Sequence, residues 1–384
     1  MTISPADLLA LLKERHNVLL YGPPATGKTY LMQEVVKLFE SSGVDGAASR
    51  PVIDTEEEEH PFKTAEAAGP LVRWVTFHQS YSYEDFVLGL RPDPDKSGVL
   101  PLRTVPGVLL ELAAHAEAGG EALLVIDELN RGNASRIFGE FITLLEPDKR
   151  LDSDGNATDT TIHVQLPYLS RQDTINIDIE SGAAELQARF ALPKNIYTLA
   201  TMNSVDKSVA PLDVALRRRF QLVELRSDVD DLRRASGLAS LQPAPQPDSV
   251  DYHRLIAIRV LERLNAGIAF FLGGDVELGA WYLAPLRNAE ATDEARDLLA
   301  ELWWNALVPQ LAELFHGQTD QLIDLMNLDS STPLVVVQPS SQQRRLGGQP
   351  FLRRGATDVE ATVAYLETLS GLAPTAAEDE DTAE

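Results

Sequence analysis

The 384-residue sequence contains no cysteine. Disulfides and thiolate metal sites are therefore excluded, which fits a reducing compartment. No apolar run approaches membrane-spanning length, and the opening MTISPADLLALLKERHN has no basic region ahead of an apolar core. These absences predict a cytoplasmic protein with no membrane partner. Basic residues are scarce: 33 Lys and Arg stand against 58 Asp and Glu, a formal net charge of −25. Phosphate contacts need a basic face, so this balance argues against a broad nucleic-acid-binding surface. It leaves room for a local basic pore inside an oligomer, and most of the acid reads as solubility. An Asn-Lys-x-Asp guanine-reading motif is missing. None of the eight lysines has Asp or Glu two residues before it, so the Asp/Glu-x-Lys core of a metal-dependent nuclease is missing too. DNA cutting, if any, is expected of a partner. His78 and His163 have no second ligand at zinc spacing.

What is present centres on Val18–Thr29, VLLYGPPATGKT. A short apolar run reads as a buried strand. It opens into Gly22-Pro23-Pro24-Ala25-Thr26-Gly27-Lys28-Thr29, a full match to the phosphate-binding pattern G-x-x-x-x-G-K-[ST]. Glycines at both ends let the backbone approach a ligand, and the N–H groups of Thr26 to Thr29 converge at the start of a helix. Lys28 is placed for the β- and γ-phosphates and Thr29 for Mg²⁺, with Tyr30 next to them. The striped helix that follows (Leu31, Met32, Val35, Val36, Leu38, Phe39) supports nucleotide binding over an idle glycine-rich turn.

The expected complement is Leu123-Leu-Val-Ile126-Asp127-Glu128, an apolar strand ending in two acids. Asp127 would hold Mg²⁺ through its water shell, and Glu128 would act as general base on the attacking water. Ninety-nine positions separate Lys28 from Asp127, room for two intervening strands. Asn203 ends a further core strand, Asn195–Met202; in a parallel sheet that end opens on the same crevice, where an amide can reach the γ-phosphate or orient water. Arg217-Arg218-Arg219-Phe220 follows at a helix end. It reads either as dipole pairing or as an arginine finger for a neighbouring subunit's γ-phosphate.

A hydrophobic share of 44% and a charged share of 24% are those of a globular chain, and the length predicts two or three domains. Ser4-Pro5 starts a helix to about Arg15. Residues 43–69 form a variable, solvated excursion, Leu71–Phe77 a strand, and Val108–Ala118 a helix. Another helix, from about Ile137, ends at Pro147. Residues 148–192, with alternating patches Ile162–Leu166 and Ile175–Ile179, read as a β-hairpin insertion. Pro211–Arg218 is a short helix and Phe220–Leu225 the last strand. Strand alternating with helix implies a parallel sheet covered on both faces. A Pro-rich linker (Gln242–Asp248) leads to a helical domain over 250–328, then to a C-terminal extension, 329–384, with a disordered acidic tail.

Three segments together resemble the AAA+ ATPase module, and within it the McrB family: FHQSYSYEDFVLGLRP (Phe77–Pro92), IDELNRGNASRIFGEFITLLE (Ile126–Glu146) and LPKNIYTLATMNSVDKSVAPLDVALRRRF (Leu192–Phe220). The resemblance covers roughly residues 15–226. It implies an AAA+ P-loop parallel sheet flanked by helices, with a small C-terminal helical lid. Asn203 is then the sensor residue, Arg218 and Arg219 the trans-acting candidates, and Asp206 and Lys207 part of the family signature. A homo-hexamer hydrolysing ATP or GTP with Mg²⁺ is also implied, as is an McrC-like nuclease subunit through which DNA is engaged in restriction and defence. The family's signature arginine is here Lys207, without the bidentate fork. Leu278-Gly279-Ala280-Trp281-Tyr282 stands where the family has I-G-H-S-Y, and with the phosphate loop opening at residue 22 the DNA-reading N-terminal domain of long McrB proteins is expected to be absent. The same site would also serve a MoxR-like AAA+ remodeller of proteins, which the acidic surface favours, or a nucleotide-binding scaffold, against which the intact Asp127-Glu128 pair argues. Tyr81, Tyr83 and Phe86 are expected to pack in the core rather than stack on a base.

Overall fold

Helix α1 (Pro5–Arg15) starts where Ser4 caps it: the Ser4 hydroxyl accepts the Asp7 N–H at 3.1 Å, and Pro5 supplies the preset first turn. Its buried residues Leu8 and Leu12 lie one turn apart on a single face. The computed structural model describes residues 3–42, 69–93, 102–179, 182–204, 212–242, 244–247, 249–327, 334–337, 351–354 and 358–372. The excursion at 43–68, the signature residues Asp206 and Lys207, and the acidic tail lie outside them.

The chain divides into two compact units. One comprises Ile3–Tyr21 and Lys28–Glu224; the other joins Gly22–Gly27 to the residues from Leu225 onward. In the first, β1 (Asn17–Gly22) is followed by α2 (Lys28–Ser41), whose Leu31, Met32, Val35, Val36 and Phe39 are buried at helical spacing. β2 (Leu71–Thr76) comes next, then α3 (Tyr83–Phe86), closed by a Ser82–Asp85 capping box. The hairpin β3 (Leu88–Pro92) and β4 (Leu102–Pro106) leads to α4 (Val108–Glu117) and β5 (Ala122–Asp127). Among the described residues, one sheet strand and this hairpin lie in the interval that has room for two strands.

The helix expected to run to Pro147 is instead a short α5 (Ala134–Phe138) continued as a 3₁₀ turn, Gly139–Leu145. Gly139 sits at φ +53°, and a Cβ there would also meet the Tyr83 ring, whose hydroxyl donates to Glu140 Oε1 at 2.8 Å. The insertion resolves into two nested pairs: β6 (Val164–Gln165) with β9 (Arg189–Phe190), and β7 (Thr174–Ile179) with β8 (Gly182–Gln187). Ile175, Ile177 and Leu186 enter the core, while Ile162 is exposed, so the first alternating patch is only partly strand. β10 (Ile196–Asn203), α6 (Val214–Arg217) and β11 (Gln221–Glu224) complete the unit. The central sheet has the order β11-β1-β10-β5-β2 and its strands run parallel. The carboxyl ends of β5 and β10 therefore share one edge of the sheet.

The second unit has its own core around α7 (Val229–Ser236), α8 (Val250–Leu272), α9 (Thr292–Leu302), α10 (Val308–Leu314) and α11 (Thr319–Leu325). An antiparallel pair, β12 (Leu334–Val337) and β13 (Phe351–Arg354), precedes α12 (Val359–Ser370). Trp303 is fully buried in a π-turn, Trp303–Leu307, placed just before Pro309, which has no N–H to continue an α-type ladder. Among the described residues no helix is long and apolar enough to cross a membrane.

A buried guanidinium anchors the first unit. Arg150 is 1% exposed and donates to Leu144 O at 2.6 Å, Leu145 O and Asn17 Oδ1 at 3.2 Å, and Ile196 O at 2.6 Å. It thereby caps the carbonyls left over at the end of the 3₁₀ turn and ties them to the start of β10. Asn17 adds bonds to Leu145 O at 2.6 Å and Arg219 O at 3.3 Å. Burial draws the Arg150 guanidinium down to about 10, still charged at neutral pH. Replacing it with lysine keeps a charge but loses the fork, stranding carbonyls whose unpaired burial costs about 1–3 kcal/mol each. Arg150→Lys is expected to lose about 3 kcal/mol of stability in urea unfolding. Nearby His16, at φ +65°, stacks on Tyr197 with centroids 5.4 Å apart. Burial, then the charges of Arg150 and Lys194, pull it from 6.5 to about 4. Between those values the unfolded chain binds a proton at His16 and the folded chain does not. Stability therefore falls as pH drops from 6.5 to 4, by up to about 3 kcal/mol, and His16→Phe should remove that component of the urea midpoint's pH dependence.

Candidate functional site

Burial ends at the tip of β5: Leu123 to Ile126 are inside, while Asp127 and Glu128 are half-buried. β10 lies alongside with Ala200 opposite Ile126, which brings Thr201 level with Asp127. Thr201 is 2% exposed. Its hydroxyl donates to Asp127 Oδ1 at 2.5 Å and accepts the Glu128 N–H at 3.2 Å, and its carbonyl accepts the Leu129 N–H at 2.8 Å. One residue therefore sets the rotamer of the first acid and the backbone of the second.

Glu128 needs that support, since it sits at φ +57°, a region costly for any residue with a Cβ. Its Oε1 accepts from Asn203 Nδ2 at 2.8 Å, and its Oε2 pairs with Arg131 Nε at 3.2 Å. Asn130 Nδ2 donates to the Asn203 carbonyl at 3.4 Å, so the turn after Glu128 reaches back to the end of β10. Lys28, first residue of α2, is 8% exposed. Burial pulls its amine from 10.5 to about 8, against the opposing pull of Glu128 and Asp127. A desolvated amine facing two carboxylates at the edge of a parallel sheet is a place where an anionic ligand gains. Thr29 and Tyr30 are exposed.

Among the described residues no cluster of three or more His, Cys, Asp or Glu could hold a metal. The oxygen donors available, the Thr29 hydroxyl and the Asp127 carboxylate, are of the kind and number that suit Mg²⁺ arriving with phosphates rather than an all-protein cage.

In the other unit, the loop Gly22–Gly27 carries Ala25 at φ +60° and Gly27 at φ +86°, with the Thr26 hydroxyl donating to Pro23 O at 2.9 Å. At Gly22 a Cβ would collide with the Leu225 carbonyl, and Pro23 beside it is buried with Pro24 half-buried. The glycines thus serve close backbone approach as well as turning.

The two arginines proposed to act in trans differ. Arg219 is bound within its own chain: its side chain is 7% exposed, pairing with Glu146 at 2.8 Å and donating to Ala215 O at 2.6 Å. Arg218 is 67% exposed and lies 3.9 Å from Glu146. The FHQSYSYEDF segment supports the site from below. The Phe77 N–H donates to Asp127 O at 3.0 Å, and Phe77, Phe86 and Phe138 pack edge to face, with Tyr81 stacked on Phe77. His78 accepts the Ser80 N–H at 3.3 Å. Sequence reasoning passed over Thr201 and Arg131. The available signal was a hydroxyl two residues before Asn203 and a cation three residues after Glu128.

Residues 64–220 match the AAA domain family, dynein-related subfamily. That stretch holds Asp127, Glu128 and Asn203, while the phosphate loop precedes it. The type IV methyl-directed restriction enzyme EcoKMcrB subunit of Escherichia coli (strain K12) is 32% identical over 225 residues, 58% of this chain and 38% of that protein. The type II restriction enzyme BsuMI component YdiS of Bacillus subtilis (strain 168) is 28% identical over 235 residues, 54% of this chain and 57% of that one. The chain thus aligns with about half or less of the length of these curated relatives. The solved C. elegans PCH-2 structure gives a TM-score of 0.31 at 12% identity, covering 77% of this chain and 67% of that one. By its sequence matches the chain carries a P-loop NTPase module of the AAA type and is similar, over a little more than half its length, to McrB-type restriction-enzyme components.

Proposed function

We propose that the protein binds ATP or GTP with Mg²⁺ and hydrolyses it, as the motor subunit of a hexameric ring that works with an McrC-like nuclease on DNA in restriction and defence. The observation that carries the chemistry is the contact of Glu128 Oε1 with the Asn203 amide at 2.8 Å, beside a buried Lys28. Glu128 takes the proton as a water oxygen bonds to the γ-phosphorus and the bond to the β-phosphate oxygen breaks. Asn203 orients that water or the γ-phosphate. Lys28 and the N–H groups of the Gly22–Thr29 loop neutralise the phosphates. Thr29 and Asp127 would hold Mg²⁺, which screens the phosphate charge when bound. The exposed Arg218 is the residue we assign to a neighbour's γ-phosphate, and the internally paired Arg219 supports it. Asp206 and Lys207 belong to the family signature by resemblance alone. The partnership with a nuclease and DNA is supported by the names of the two restriction-enzyme relatives.

Phosphate release measured with ATP and GTP side by side, with and without the McrC-like partner, tests this reading. Glu128→Gln should still bind nucleotide while its turnover drops by at least about 100-fold. Turnover stimulated by a protein client, and indifferent to nuclease and DNA, would instead select a remodeller. Thr201→Val strands the Glu128 N–H and releases Asp127. Its turnover should drop about 10–100-fold, the range seen when a supporting shell is removed.

A further inference from the structure

Leu278–Tyr282, where the sequence departs from the family pattern, has no part in the chemistry above. Asn265 of α8 grips the backbone of Leu278 on both sides: Nδ2 donates to Leu278 O at 2.9 Å, and Oδ1 accepts the Leu278 N–H at 2.7 Å. The Ala280 N–H donates to Ser227 Oγ at 2.7 Å. Held in this way, the segment lies directly on the phosphate loop. A Cβ on Gly279 would overlap the Ala25 carbonyl and crowd Pro24 O, and the Trp281 N–H donates to Ala25 O at 2.9 Å. The Trp281 indole fills the space that a side chain on Gly27 would need.

These contacts have a directional consequence. In a trans peptide the C=O and the following N–H point opposite ways. Fixing the Ala25 carbonyl toward Trp281 therefore turns the Thr26 N–H to the other side of the loop, and Gly279 against Pro24 O does the same for the Ala25 N–H. Ala25 also sits at φ +60°, unfavourable for alanine, so the loop needs an external hold to keep this shape. We infer that Gly279–Trp281 is a positioning splint that holds the phosphate loop, through the Ala25 carbonyl, in the shape that accepts phosphate. The inference rests on the nucleotide-binding reading of that loop.

The test uses the full chain and a fluorescent N-methylanthraniloyl derivative of ATP and of GTP. Gly279→Ala and Asn265→Ala are each expected to weaken binding about tenfold, the effect of losing roughly one well-made hydrogen bond and its geometry. Unlabelled nucleotide should change the tryptophan emission of the wild-type protein, and Trp281→Phe should abolish that change, a readout that general destabilisation would not move. Wild-type affinity in both Gly279→Ala and Asn265→Ala would overturn the splint, as would an emission change that persists in Trp281→Phe. A wild-type protein that binds neither derivative would overturn the nucleotide reading and the splint with it, and is recognised before any variant is made.

Discussion

The side chain of Thr201 holds together what the rest of the site depends on. On the proposed mechanism Asp127 and Glu128, adjacent in sequence, need different surroundings: one would present a carboxylate oxygen to Mg²⁺, the other would face the attacking water. A single buried hydroxyl serves both, donating to the first and accepting from the backbone of the second. It can do so only in one register. With Ala200 opposite Ile126, Thr201 meets the acids; a slip of one residue would turn it to the other face of the sheet. The register of β10 is in turn held at its far end, where the Ile196 carbonyl accepts from buried Arg150. The strand is thus pinned at both ends by polar contacts.

Charge is arranged locally in a way the overall balance of −25 does not suggest. Around Glu128 stand Lys28, Arg131 and Asn203, and each of the two carboxylate oxygens already has a partner. On the proposed reading, a phosphate at Lys28 would add negative charge beside this desolvated amine. The two arginines after α6 show the same economy of placement. Arg219 is the pair partner that keeps Glu146 neutralised beside a buried turn, so the outward charge falls to Arg218.

Strands β1, β5 and β10 could be read from the sequence because each is a largely apolar run that ends at a glycine, an acid or an amide. The phosphate loop, the acid pair and the amide at the end of β10 follow from that pattern. Gly139 could not be read. Nothing near it in sequence reports that Tyr83, more than fifty residues away, occupies the space of its missing side chain. Arg150 was equally hidden: a lone arginine after Asp148-Lys149 reads as surface charge, and its burial depends on carbonyls contributed by Leu144, Leu145 and Ile196. Thr201 and Arg131 belong to the same class. Their roles are set by a strand register and by a turn of positive φ, which the spacing to Asn203 and Glu128 hints at but does not fix.

The segment over the phosphate loop explains why its sequence can depart from the family pattern without losing its place. Its contacts to the loop, to α8 and to Ser227 are made largely by backbone: the Leu278 amide and carbonyl, the Ala280 N–H and the Trp281 N–H. Backbone donors are indifferent to whether positions 280 and 281 carry His-Ser or Ala-Trp. Position 279 is different, because the absence of a Cβ there is itself the contact. Glycine is the one residue shared between I-G-H-S-Y and Leu278–Tyr282 that close packing alone demands, and the neighbouring side chains are left free to differ in what they add, here an indole beside Gly27.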